Sequence, residues 1–126
     1  MSKILILGFH AINLILIISY LYPGSIIGFF LYNDSSIQPQ ITSDFLISSN
    51  HFYAFIVLSI TGIVAYNKSN KINILIKYLV LLSILLEPLH LIIPNRDFAF
   101  SDLFGNFLGV IFVITIYKIR NKYVQN

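Results

Sequence analysis

The sequence predicts an all-α fold, an integral membrane four-helix bundle that forms a single domain over residues 1–126. Hydrophobic residues make up 57% of the chain and charged residues only 10%, whereas soluble domains carry roughly a quarter charged residues. A soluble domain of this size could not bury so much apolar surface. The apolar residues also fall into four long runs separated by polar turns, which is typical of helices that use the bilayer as solvent.

The first run predicts a span over about residues 4–22, which ends at the strong helix stop Pro23-Gly24. A cleaved signal peptide is the alternative, but no Ala-x-Ala-like site follows this long run. The segment 24–50 is mixed. Its apolar stretch 26–32 is too short to cross a bilayer, and we expect it to lie at the interface or re-enter the membrane.

Three further runs predict the remaining spans, over about 51–66, 72–93 and 102–119. Short polar turns at 67–71 and 94–97 connect them, and a short basic tail follows the last. Pro88 lies inside the third run. Because proline removes a backbone hydrogen bond and restricts the residue before it, we expect a kink or unwound turn beside Glu87.

The basic residues predict the orientation. With four spans, one side of the membrane holds the N-terminus, the 67–71 turn and the C-terminal tail. Of the eight basic residues, only Arg96 falls on the opposite side. The positive-inside rule then predicts that both termini face the cytoplasm. The basic residues form no dense patch, so we expect no nucleic-acid partner. The chain has no cysteine, which excludes disulfides, thiolate metal sites and cysteine nucleophiles.

This topology brings polar residues from separate helices to one depth near the outer face. The candidates are His51, Glu87, His90, Arg96, Asp102 and Asn106. Helical spacing places Glu87 with His90, and Asp102 with Asn106, on common helix faces. Ionisable residues within spans normally face the interior and pair with one another. We therefore expect Glu87 to face Arg96 or a histidine, and Asp102 to cap its helix or pair with Arg96.

The residue types suggest roles for these candidates. Glu87, His51 and His90 are the predicted catalytic residues, because carboxyl and imidazole groups perform acid–base chemistry. Arg96, Asp102 and Asn106 are the predicted substrate-binding residues, since a guanidinium can hold a phosphate or carboxylate. Gly105 and Gly109, beside the Asp102–Asn106 face, are expected to let helices approach closely.

Several segments of this sequence together resemble the VanZ-like family, over roughly residues 15–119. The matching segments are Leu21-Tyr22-Pro23, Asn50-His51-Phe52-Tyr53-Ala54-Phe55, Glu87-Pro88-Leu89-His90, Pro94-Asn95-Arg96 and Asp102-Leu103-Phe104-Gly105-Asn106-Phe107-Leu108-Gly109. The family has a His opening one helix, Glu-x-x-Gln near the end of the next, a Pro-Gly-Arg-like turn and Asp-x-x-x-Asn-x-x-Gly opening the last. The chain departs from this pattern at His90 and Asn95, and Ile47-Ser48 replace an Asp-Lys pair before the histidine.

The resemblance implies a multi-pass protein of the bacterial inner (cytoplasmic) membrane, linked to low-level resistance to glycopeptide antibiotics such as teicoplanin. Its expected partners are the lipid bilayer and a lipid or glycopeptide-related small molecule of the cell envelope. A homo-oligomer is a further possibility. No cofactor is assigned, although His51, Glu87, His90 and Asp102 are also suitable ligands for a divalent metal such as zinc.

Two other interpretations of the candidate residues stay open. In the first, the protein is a non-catalytic membrane accessory protein whose polar cluster only braces the helices. In the second, it is half of a transporter and dimerises through the glycine face of the last helix. A separate polar pair on the first span, His10 and Asn13, is expected only to form hydrogen bonds between helices.

Overall fold

The computed structural model describes residues 2–124, and within that range the protein is all-helical, with no strand. The α-helices are α1 (Lys3–Leu21), α2 (Ile26–Tyr32), α3 (Ser49–Tyr66), α4 (Ile72–Leu85) and α5 (Phe100–Val124), with a 3₁₀ helix at Glu87–Leu91 between the last two. Four segments are long and apolar enough to span a membrane: α1, α3, the stretch Ile72–Leu91 and α5. The predicted fold class is confirmed, whereas the orientation with both termini inside stays a prediction.

The helices begin and end close to the predicted positions, with one clear difference. α5 starts at Phe100 and continues to Val124, beyond the predicted end at residue 119. Tyr117 still packs against the core, and residues 120–124 contain neither Gly nor Pro to stop the helix. The predicted basic tail is therefore helical as far as the described residues extend.

α3 lies at the centre of the bundle and packs most extensively against α5. These two helices run parallel, because Gly105 of α5 lies against Ser48 and Gly109 lies against Phe52, one turn further along each helix. A Cβ atom on either glycine would come within 2.8 Å and 2.6 Å, respectively, of a backbone oxygen of the α3 region. The predicted close approach at the two glycines is confirmed.

α1 packs antiparallel to α3 and keeps most of its surface free. Gly62 of α3 meets the ring of Phe9, and Tyr20 meets His51 at the other end. Phe9 and Tyr20 are the buried residues of α1. Large apolar side chains cover the exposed surface, among them Ile4, Leu7 and Ile15. An apolar exterior of this kind fits contact with membrane lipid, as expected for a multi-pass membrane protein.

The bundle has two ends with different connections. The "terminal end" contains the start of α1, the 67–71 turn and the end of α5. The "site end" contains the connections 22–48 and 92–99. α2 belongs to the site end, where Ser25 caps it by accepting a hydrogen bond from Gly28 N at 2.9 Å.

Candidate functional site

Six polar side chains from four segments meet inside the site end. This "polar cluster" consists of Tyr20 from α1, His51 from α3, Glu87 and His90 from the 3₁₀ helix, and Asp102 and Asn106 from α5. Asp102 is partly exposed, and the other members are buried. Residues far apart in sequence thus share one depth, as the topology predicts.

Pro88 sets the local geometry of Glu87 and His90. α4 ends at Leu85, and the chain continues as a 3₁₀ helix with the proline in its first positions, so the expected unwound turn is confirmed. The tighter 3₁₀ turn places residues i and i+3 almost in line. His90 Nδ1 accordingly lies 3.2 Å from Glu87 Oε1, and the glutamate faces a histidine as expected.

The hydrogen bonds of His90 limit its protonation state. Its Nε2 lies 3.0 Å from the backbone oxygen of Tyr20. A carbonyl oxygen can only accept, so Nε2 carries a proton. Glu87 Oε1 also accepts from Ala99 N at 3.1 Å. The hydrogen bonds of this pair therefore join the end of α1, the 3₁₀ helix and the residue that precedes α5.

Tyr20 is the centre of the polar cluster and is not among the residues predicted for the site. Its hydroxyl donates to Asn106 Oδ1 and lies 2.6 Å from His51 Nδ1. Its ring stacks on His90 with centroids 5.7 Å apart and meets His51 edge-on at 5.0 Å. A tyrosine at the end of a span is typical of the interfacial aromatic belt. The predicted topology places the end of the first span near the depth of His51, and no other sequence signal indicates this role.

The protonation of His51 follows from Tyr20. Because the tyrosine hydroxyl donates to Asn106 Oδ1, its oxygen is left to accept, and His51 Nδ1 is the donor within reach. The second ring nitrogen, Nε2, lies 3.4 Å from Asp102 Oδ2. In a neutral His51 that nitrogen carries a lone pair aimed at a carboxylate, an arrangement that calls for a cation between them. A second proton on the imidazole or a metal ion would both satisfy it.

Two buried atoms of the polar cluster have no hydrogen-bond partner among residues 2–124. They are Glu87 Oε2 and Asn106 Nδ2. Both side chains are completely buried. Glu87 Oε2 lies 3.9 Å from His51 Nδ1, so it points into the middle of the cluster. Buried polar groups are normally paired, so each exception needs an explanation, such as a catalytic role or a bound water or ion.

Arg96 lies beside the polar cluster and does not pair with its carboxylates. Its Nε donates to Tyr22 O at 3.1 Å and its Nη2 donates to Ser19 O at 2.9 Å. Burial lowers the pKa of the guanidinium, and the nearby Glu87 carboxylate partly offsets this. The group stays charged, because the ordinary pKa of a guanidinium lies far above neutrality.

Arg96 also lines a polar cavity of about 400 Å³ at the site end. The other lining residues are Gly24, Ser25, Ser35, Ser36, Gln38 and Asn95. Hydroxyl, amide and guanidinium groups are the donors that hold phosphate and carboxylate groups. The cavity is formed largely by the 22–48 connection, which contains none of the predicted site residues.

The structure differs from the expectation that Asp102 caps its helix or pairs with Arg96, and it also bears on the dimer alternative. Asp102 does not pair with Arg96: it lies in the first turn of α5, contacts His51, and accepts from Ser101 Oγ at 3.2 Å. The arginine is instead held by the backbone carbonyls of Ser19 in α1 and of Tyr22 just after it, which leave no mark in the sequence. The glycine face of α5 is covered by α3, so a dimer would have to use a different face.

Polar residues also meet in the "terminal half" of the bundle, which is the half next to the terminal end. His10 Nε2 lies 3.1 Å from the Tyr66 hydroxyl, and the Tyr78 hydroxyl donates to Asn13 Oδ1 at 2.9 Å. The expected hydrogen bonding of His10 and Asn13 between helices is confirmed. No carboxylate takes part in these contacts.

The chain matches no family model, no curated protein and no solved structure. The VanZ-like resemblance therefore stays a prediction based on residue order and spacing.

Proposed function

We propose that this chain is a VanZ-like protein of the bacterial inner membrane that binds or acts on an outer-leaflet lipid head group or another small molecule of the cell envelope. It would thereby contribute to tolerance of glycopeptide antibiotics such as teicoplanin. The observation that carries the proposal is the buried Glu87 Oε2, which has no partner among the described residues and points into a cluster of acid–base groups.

The charge arrangement supports a polar or anionic ligand. Asp102, whose side chain is 25% exposed, is the member of the polar cluster that reaches the surface, so a ligand group can approach there. Arg96 provides a charged group in the adjacent polar cavity. A phosphate or carboxylate bound at Arg96 would place the rest of a head group next to the cluster.

The proposed roles follow from the contacts. His51 and Glu87 would take and give protons, since His51 faces one carboxylate at each ring nitrogen. His90 would act with Glu87, to which it is hydrogen-bonded. Asn106 would position His51 through its Oδ1 and offer its free Nδ2 to a ligand.

The second candidate function is that of a non-catalytic accessory protein whose cluster only braces the helices. One observation favours it: Glu87 Oε1 binds both His90 and the backbone of Ala99, and His90 binds the backbone of Tyr20. These bonds tie three segments together. Removing them would damage the fold regardless of any ligand.

Conservative substitutions distinguish the two functions. Glu87→Gln keeps the size of the side chain and removes its charge, and Arg96→Lys keeps the charge and loses the planar fork. A ligand site predicts normal accumulation in the membrane together with loss of teicoplanin tolerance in a bacterium that depends on this chain. Variants that fail to accumulate would support bracing, and variants that accumulate and retain full tolerance would refute the proposed site.

Matched controls come from the same chain. Asp97→Asn removes an exposed carboxylate next to Arg96, and Arg120→Lys repeats the cation exchange at an exposed position of α5. Both are expected to leave tolerance unchanged. Equal loss in the controls would mean that the assay reports expression and not the site.

The proposed outer-leaflet position needs its own test. The chain contains no cysteine, so single cysteines report accessibility without background. Ser69→Cys and Tyr123→Cys should react with an impermeant maleimide only after the cell is opened. Ser36→Cys should react in intact cells. Labelling of Ser69→Cys and Tyr123→Cys from opposite sides would contradict the topology, and the reversed pattern would place the site on the cytoplasmic side.

A further inference from the structure

We infer that His51, Glu87 and Asp102 form a binding site for a divalent transition metal, with zinc as the best fit. The inference rests on the proposed function, because it assigns the metal to the same cluster. One potential donor atom from each of the three residues lies within 4.8 Å of the other two. The three donors come from three different segments, which only the fold brings together.

The first argument is that the potential ligand atoms have lone pairs that no hydrogen bond uses. Glu87 Oε2 is completely buried and has no partner among the described residues. His51 donates through Nδ1 toward Tyr20 and Asn106, so the Nε2 of a neutral imidazole presents a lone pair to Asp102. Nε2, with its lone pair, and Asp102 Oδ2 lie 3.4 Å apart, and Glu87 Oε2 lies 3.9 Å from Nδ1 of the same ring. A divalent cation drawn between the three side chains would relieve the repulsion between these acceptors.

The second argument is the way in which His51 is held. A metal-bound histidine almost always donates its other ring N–H to an oxygen acceptor, and this bond fixes the ring orientation. Tyr20 and Asn106 provide that support at 2.6 Å and 3.1 Å from Nδ1. His90 lacks a free nitrogen for the same task, because Glu87 and the Tyr20 carbonyl occupy both of its nitrogens.

The third argument is distance and charge. Zinc bonds of about 2.1 Å in a tetrahedron separate the donor atoms by about 3.4 Å. His51 Nε2 and Asp102 Oδ2 already lie 3.4 Å apart, so only Glu87 has to approach. Two carboxylates also neutralise a divalent cation. Nitrogen and oxygen donors suit zinc, and three protein ligands leave the fourth position open to water or a ligand.

The open position gives the proposed function a concrete chemistry. A bound zinc ion activates a water molecule or polarises a carbonyl or phosphoryl oxygen. Asp102 is the ligand that reaches the surface, so an oxygen of a head group would approach the three ligands past Asp102. The ligand class that follows is a phosphate- or carboxylate-bearing envelope molecule.

The test uses the full chain in phosphatidylcholine nanodiscs, purified without a histidine tag and stripped with a chelator. Zinc titration by calorimetry should show one ion bound per chain. His51→Gln, Glu87→Gln and Asp102→Asn should each weaken binding by about 100-fold or more. His10→Gln and Asp97→Asn should bind like the wild type. No binding by the wild type, or unchanged binding by the three site variants, would overturn the inference.

A second measurement needs no variant and therefore does not depend on their folding. X-ray absorption of the zinc-loaded wild type should show one imidazole nitrogen among oxygen neighbours. Two imidazoles would mean that His90 is also a ligand, and oxygen neighbours alone would mean an adventitious ion only. Either spectrum would overturn the assignment.

The outcomes keep the metal site and the proposed function separable. Loss of teicoplanin tolerance in Glu87→Gln without zinc binding by the wild type would remove the metal and leave the proposed site. Zinc binding that depends on Glu87, together with full tolerance in Glu87→Gln, would leave the metal site and remove the proposed function.

Discussion

The site end and the terminal half of the bundle use the same side-chain types in different ways. Both pair a histidine with a tyrosine: Tyr20 with His51 at 2.6 Å, and Tyr66 with His10 at 3.1 Å. Tyr20 and His51 are buried, whereas His10 is exposed and Tyr66 is partly buried. The site end adds two carboxylates and leaves Glu87 Oε2 unpaired among the described residues.

The proposed ligand site requires this difference between the two ends, whereas bracing alone does not. Hydrogen bonds between transmembrane helices hold a bundle with neutral groups alone, as the terminal half does. Buried carboxylates cost free energy that bracing does not require, and intramembrane ionisable groups usually mark a functional site. The His10–Tyr66 pair therefore serves as a control for the His51–Tyr20 pair, because it joins helices without a carboxylate.

The largest effect on stability is expected from Glu87→Ala. The change leaves His90 Nδ1 and Ala99 N without their acceptor in the interior. Loss of one partner of a buried pair costs about 3–5 kcal/mol. Asn13→Ala removes a bond in the terminal half and should cost roughly 0.6 kcal/mol, the average for such bonds. Reversible unfolding in detergent measures both, and equal costs would break the comparison.

Glycine substitutions compare the packing at the α3–α5 contact of the site end with the packing at an open position of α1. A Cβ on Gly109 would lie 2.6 Å from Phe52 O, so Gly109→Ala must separate α3 from α5 and should cost about 1–3 kcal/mol. A Cβ atom on Gly8 of α1 would have no atom outside its own helix within 4 Å. Gly8→Ala should therefore be neutral or stabilise by up to about 1 kcal/mol. Thermal unfolding checks both variants, and a harmless Gly109→Ala would contradict the tight α3–α5 contact.

The smallest effect is expected when a hydroxyl is removed from each histidine–tyrosine pair. Tyr20→Phe deprives His51 and Asn106 of a shared partner and should cost about 1–2 kcal/mol. Tyr66→Phe removes one exposed bond to His10 and should cost about 0.5 kcal/mol. The same unfolding assay compares them. A larger cost for Tyr66→Phe would reverse the assignment of the two ends.

The sequence predicts much of this site because its signals are local. Pro88 marks the unwound turn, and helical spacing places Glu87 with His90 and Asp102 with Asn106. Gly105 and Gly109 mark the close contact. Tyr20 was missed because a tyrosine at a span end is more often an interfacial residue.

The partners of Arg96 could not be predicted for a different reason. They are the backbone oxygens of Ser19 and Tyr22, and any residue type provides such an oxygen. The cavity beside Arg96 depends on how the 22–48 connection folds back, which helical periodicity does not describe. Long-range backbone contacts and irregular connections are thus what the sequence leaves open.

The most direct test of the functional difference replaces each of the two histidines with glutamine in a separate variant. Teicoplanin tolerance is measured with the wild type, His51→Gln and His10→Gln at matched amounts of protein in the membrane. The account predicts that His51→Gln abolishes tolerance and that His10→Gln retains it. Equal tolerance in the two variants would contradict the assignment of the site end as the functional region.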